Sequence, residues 1–204
     1  MAEVPAPTRD SAPATGVLVL FLIAYFSATT VFQLRAETPV SLEGSPMDLM
    51  NGGLLWMGSA MALMNAALRF ERPSRAALWL LGSAAIGLVA LDEIFALHEH
   101  SVRVTGDDDD PKILLVSCAA LGVLSVVWIE RLRGPVLRLL LAGLAVHFTY
   151  LIVDLGDGDY FRLPVATGPL SWIEEYLELT SSALYFSALF VLAATRCRGE
   201  RAQA

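Results

Sequence analysis

Ala90-Leu91-Asp92-Glu93-Ile94-Phe95-Ala96-Leu97-His98-Glu99-His100 closes an apolar run that begins near Ala76. The run has the length of a membrane-crossing helix, and it ends in three carboxylates and two imidazoles. A carboxylate inside a bilayer costs about 2.5–3.5 kcal/mol even on insertion scales. Whatever offsets that cost is the centre of the protein's chemistry.

Working outward, the same length of apolar run recurs. The chain has 204 residues, is 55% hydrophobic, and has a mean hydropathy of +0.58. Its apolar blocks are about 20 residues long, enough for an α-helix to cross about 30 Å of hydrocarbon. Barrel strands would alternate apolar and polar residues, and these blocks do not. The sequence predicts an all-α integral membrane protein, a bundle of six transmembrane helices over residues 17–34, 49–70, 76–98, 112–129, 136–155 and 172–195. Residues 1–16, with Pro5, Pro7 and Pro13, read as a disordered tail, and residues 196–204 as a basic tail. The first run is long for a cleaved signal peptide and lacks a small-x-small site.

Orientation follows from arginine and lysine in the short loops. One set of loops and tails collects Arg9, Arg69, Arg72, Arg75, Arg131, Arg133, Arg138, Arg196, Arg198 and Arg201. The other set has Arg35, Arg103, Lys112 and Arg162 among most of the acids, which carry the net charge of −7. Both termini are therefore expected in the cytoplasm, the acidic face outside, and the protein in the plasma (inner) membrane. Cys118 and Cys197 would lie near opposite faces, too far apart for a disulfide.

Helix rise converts sequence into depth. Asn51, Asp92, Glu93, Asp154 and Glu178 fall in one layer, roughly 25–27 Å above the arginine-rich edge, at 1.5 Å per residue. His98, Glu99, His100, Glu174 and Glu175 lie at or just above this layer, and His147 roughly 10 Å below Asp154. At about 100° per residue, Gly143, His147, Tyr150 and Asp154 share one stripe. So do Glu174, Glu178, Ser181, Ser182 and Tyr185, while Leu179, Ala183, Phe186 and Phe190 face away, on a lipid-compatible side. Asn51, Gly58, Ala62, Asn65 and Arg69 also align, with Gly58 and Ala62 spaced for close helix packing. The stripes are expected to converge on a polar acidic/His chamber near the outer face.

No basic residue belongs to this layer by sequence, so protons or a cation must compensate the carboxylates. Carboxylate oxygens and imidazole nitrogens suit Zn, Fe or Mn. The expected metal ligands are Asp92, His98, Glu99, His147, Asp154, Glu174 and Glu178. Asn51, Tyr150, Glu175 and His100 complete the polar layer. Glu93 or Glu99 would act as general base on a metal-activated water, which makes a metal-dependent hydrolase of a lipid-like substrate the first reading. A proton- or cation-handling transporter or sensor is the second, and an accessory subunit bound to a membrane-protein partner the third. No short metal signature such as HExxH is present. No haem is expected, because His98 and His147 differ in depth by about 15 Å.

Other features read plainly. Asp107 to Asp110 is a solvated acidic run, and Asp154 to Asp159 lacks the order of a calcium loop. Trp56, Trp79, Trp128 and Trp172 are expected as anchors at the membrane–water boundary. The basic residues are accounted for by topology, so nucleic acid is not an expected partner. The bilayer itself is.

Overall fold

The structure, a computed structural model, describes residues 12–36, 45–95, 109–157 and 167–201. Among them are six helices and no strand: α1 (Ala12–Ala36), α2 (Pro46–Ala67), α3 (Pro73–Phe95), α4 (Asp109–Glu130), α5 (Gly134–Asp157) and α6 (Thr167–Arg201). Four segments are long and apolar enough to cross a membrane: Thr15–Ala36, Pro73–Phe95, Gly134–Asp154 and Leu170–Cys197. Large apolar side chains such as Leu20, Phe32, Leu81, Leu88, Leu121 and Ile152 stand exposed along the helices. Soluble proteins do not leave so much apolar surface in contact with water. The chain is a membrane-embedded helical protein.

Local chemistry sets the helix ends. Ser45 caps α2: its hydroxyl accepts from Asp48 N at 3.3 Å, while Ser45 N donates to Asp48 Oδ2 at 2.9 Å. This is a capping box with aspartate in the role usually held by glutamate, and Pro46 sits at the first helical position, where its missing N–H costs nothing. After Ala67 the chain tightens into a turn, with Arg69 N donating to Ala66 O at 2.9 Å and Arg72 N to Arg69 O at 2.7 Å. Pro73 then opens α3. The start of α2 at Pro46 draws Asp48 out of the loop expected over residues 35–48 and onto a helix.

α2 and α6 are the inner helices. α2 packs most extensively against α3 and α6, and α6 also against α5, while α1 lies against α2 and α6. Near the arginine-rich end, Ala62, Ala66, Trp79, Leu140, Ala188 and Leu189 form one buried cluster. Near the other end, Leu18, Met47, Leu54, Leu179, Ala183 and Phe186 form a second. On the lipid-compatible side of α6, Leu179, Ala183 and Phe186 are buried against α1 and α2, so α6 is covered on its apolar side as well as its polar one.

Helix separations are set by small residues. Ser59 Oγ donates to Ser83 O at 2.8 Å and Ser83 Oγ to Ser59 O at 2.9 Å, a reciprocal clasp between α2 and α3. The closest approach is at Gly52, where a Cβ would lie 2.6 Å from Ile94 Cγ1 and 3.2 Å from Ala90 O. At Gly58 the same atom would meet Ile86 at 3.7 Å, an ordinary contact. The tight seam therefore runs at Gly52, one turn from the end of α3, and not at the Gly58–Ala62 pair.

Candidate functional site

Four helices contribute to one polar cluster at the end opposite the arginines. α2 supplies Asp48 and Asn51, and α3 supplies Asp92 and Glu93. α5 supplies Tyr150 and Asp154, and α6 supplies Glu174, Glu175 and Glu178. Glu93 faces Glu178 across the α3–α6 gap within hydrogen-bonding reach and also lies beside Asn51, Asp48 and Asp92. Glu175 faces Asp48 across the α2–α6 gap within hydrogen-bonding reach. Tyr150 lies within electrostatic reach of Glu178, Asp154, Glu93 and Glu174. A hydrogen bond between two carboxyl groups exists only while one of them carries a proton. The cluster therefore contains two carboxyl pairs, each joining α6 to another helix and each able to hold one proton between its members.

Asp48 is the member that sequence reasoning missed. It is buried and fixed by its capping box before it reaches Glu175. The signal was the Ser45-Pro46-Met47-Asp48 order, a helix start with proline at the first position and an acid at the third. Asn51 is buried beside Glu93, but neither of its amide atoms makes a hydrogen bond of good geometry.

α1 steadies this end. Tyr25 Oη donates to Met50 O, next to Asn51, at 2.5 Å. Met47 N donates to Gln33 Oε1 at 3.3 Å, and Thr30 and Tyr176 share a hydroxyl–hydroxyl contact of 2.6 Å. On α6, Ser181 Oγ turns back to Glu178 O at 2.8 Å, as a mid-helix serine commonly does.

His147 lies apart from the carboxyl pairs. Its ring packs edge-on against Tyr150, with centroids 5.7 Å apart, and tilted against Tyr185 of α6 at 6.1 Å. Its Nδ1 and the Tyr185 hydroxyl are both buried without a hydrogen-bond partner. Gly143 makes room for this arrangement, since a Cβ there would lie 2.9 Å from the Tyr185 ring. Among the described residues no three His, Cys, Asp or Glu side chains are grouped to hold a metal ion. His98, Glu99 and His100 lie outside the described residues.

The opposite end carries a second polar centre, built on Glu130. Arg69 Nε donates to Glu130 Oε1 at 2.7 Å and Trp79 Nε1 to the same oxygen at 2.9 Å. Arg196 Nη2 donates to Oε2 at 2.7 Å, with Arg75 Nη1 4.0 Å from that oxygen. Arg69 also stacks over Trp79, 4.6 Å from the ring centroid, and donates to Asn65. Asn65 Nδ2 in turn reaches Leu189 O at 3.2 Å. Trp79 is 3% exposed. That overturns its assignment as a boundary anchor: it is an interior donor, whereas Trp128 stands exposed.

No curated protein and no solved structure matches the chain. A family model described as a domain of unknown function (DUF8692) matches residues 14–193, from α1 through α6, and the chain belongs to that family.

Proposed function

We propose that this protein handles protons within the membrane, as a transporter or sensor whose working groups are the Glu93–Glu178 and Asp48–Glu175 carboxyl pairs. The observation that carries the reading is the pairing itself: two carboxyl–carboxyl contacts, each within hydrogen-bonding reach, link α6 to α3 and to α2. Losing the shared proton turns each hydrogen bond into a repulsion between like charges in a medium of low dielectric constant. Proton release would therefore push α6 away from its neighbours, which couples occupancy to helix position. The arginine distribution supports six spans, with both termini in the cytoplasm and the carboxyl cluster near the outer face of the inner membrane. The metal-dependent hydrolase reading, with Zn, Fe or Mn held by a set drawn from Asp92, His98, Glu99, His147, Asp154, Glu174 and Glu178, draws no support from the described residues, which include no group of three such side chains.

Infrared spectroscopy of the purified protein tests the proposal. The carbonyl stretch of a protonated carboxylic acid is expected in the wild type, weakened in Glu178→Gln and shifted in Glu93→Gln. Absence of that band from the wild type would refute it. Stoichiometric Zn, Fe or Mn that is lost in Glu178→Gln would restore the metal reading instead.

A further inference from the structure

Around Glu130, at the arginine-rich end, charges among the described residues do not balance. Three guanidinium groups, those of Arg69, Arg75 and Arg196, converge on the single carboxylate of Glu130, whose side chain has no exposed surface. Arg69 is held in the interior by Glu130 Oε1, Asn65 and the Trp79 ring, with its Nη2 buried and making no hydrogen bond. Arg196 and Arg75 must share Oε2, and their side chains remain 30% and 36% exposed. One negative charge against three positive leaves an excess of two, carried by the pair that faces outward.

The setting points to the chemistry that would complete the pair. Arg75 sits in the first turn of α3, which opens at Pro73, so the positive end of the helix dipole adds to its charge. Guanidinium groups match phosphate oxygens in geometry as well as charge. The centre also sits where the apolar segments end, the level at which a bilayer's headgroups are expected. Phe70, next to Arg69, is 86% exposed, and Trp128, two residues before Glu130, is 83% exposed. Aromatic side chains standing free at that level favour the glycerol and upper acyl region of a lipid over water. Topology needs only positive charge in the loops. It does not need two half-buried arginines converging on one oxygen.

We propose that Arg75 and Arg196 form a binding site for the headgroup phosphate of an anionic phospholipid, with Glu130 holding the two guanidinium groups in place. The site is independent of the carboxyl cluster at the other end.

Native mass spectrometry of the detergent-purified protein tests it, using phosphatidylglycerol and phosphatidylcholine with matched acyl chains. The wild type should retain phosphatidylglycerol preferentially. Arg75→Gln should weaken retention about five- to tenfold, as expected for one arginine near a phosphate, while Arg133→Gln, an exposed arginine of the same end, leaves it unchanged. Arg75 touches Glu130 only at 4.0 Å, so its replacement should leave the fold intact. Arg75→Lys, which keeps the charge without the planar fork, should fall between wild type and Arg75→Gln. Equal retention of the two lipids would overturn the proposal, as would equal loss in Arg75→Gln and Arg133→Gln, which marks diffuse attraction. So would displacement of the lipid by an equal concentration of inorganic phosphate, which marks a site for the free anion.

Discussion

Glu130 receives hydrogen bonds from three parts of the chain: Arg69 after α2, Trp79 of α3 and Arg196 of α6. It is the last residue of α4, just past the apolar stretch expected to span residues 112–129. Burial alone would raise its pKa; the hydrogen bonds from Arg69 and Trp79 and the charges of Arg69 and Arg196 outweigh that and hold it below the ordinary glutamate value. A depressed carboxylate contributes stability above the unfolded-state pKa and loses it as pH falls through the folded-state pKa. The thermal midpoint in detergent should therefore decline on the acid side of the ordinary glutamate range, and Glu130→Gln should flatten that decline. The same variant leaves Arg69 buried without its counter-charge, at a cost of about 3–5 kcal/mol. A wild-type and a Glu130→Gln protein with parallel acid profiles would remove Glu130 as the cause. Only the α2 part of this centre was legible in the sequence, where Asn65 and Arg69 align on one stripe and are joined in the structure. The convergence on Glu130 was not, because loop arginines that set orientation carry no sequence mark of a buried partner.

Among the helices, Gly52 and Gly58 of α2 separate by consequence. Gly52→Ala forces its new methyl against Ile94 Cγ1 and the Ala90 carbonyl, parting α2 from α3 where Asn51 meets Glu93. The expected loss is about 1–3 kcal/mol, the usual range for overpacking. Gly58→Ala meets only ordinary contacts, and the better helix propensity of alanine should make it neutral or stabilising by about 0.5–1 kcal/mol. Unfolding by denaturant, compared between the two variants, checks the contrast; equal losses would mean that the seam lies elsewhere. Helix rise placed Asn51, Glu93 and Glu178 at one depth, and the structure has them side by side, because depth depends only on counting. Which apolar face meets lipid could not be read the same way. Leu179, Ala183 and Phe186 pack against protein, yet lipid tails are as apolar as a protein core, so the same residues satisfy either neighbour.

Taken whole, the molecule has a carboxyl end and an arginine end, held about one membrane thickness apart by α2 and α6. Cys197, half-buried near Arg196, reports which way the axis points. In a Cys118→Ser background, a membrane-impermeant maleimide should leave Cys197 unlabelled in intact cells and label it in inverted vesicles. Labelling from outside the cell would reverse the orientation proposed above.

The inner position of α2 has a consequence for how the chain is made. Asp48, Asn51 and Asn65 are buried on α2, and α2 is absent from the segments apolar enough to cross a membrane alone. A helix emerging from the ribosome meets the bilayer before it meets helices that are not yet synthesised. α2 must therefore enter with α3, to which a five-residue turn ties it, and its other face stays unshielded until α6, the last helix, arrives. Chains truncated before Thr167 should leave α2 open to protease or glycosylation, whereas chains that include α6 protect it. Synthesis of α6 is then a condition for burial of the protein's own centre.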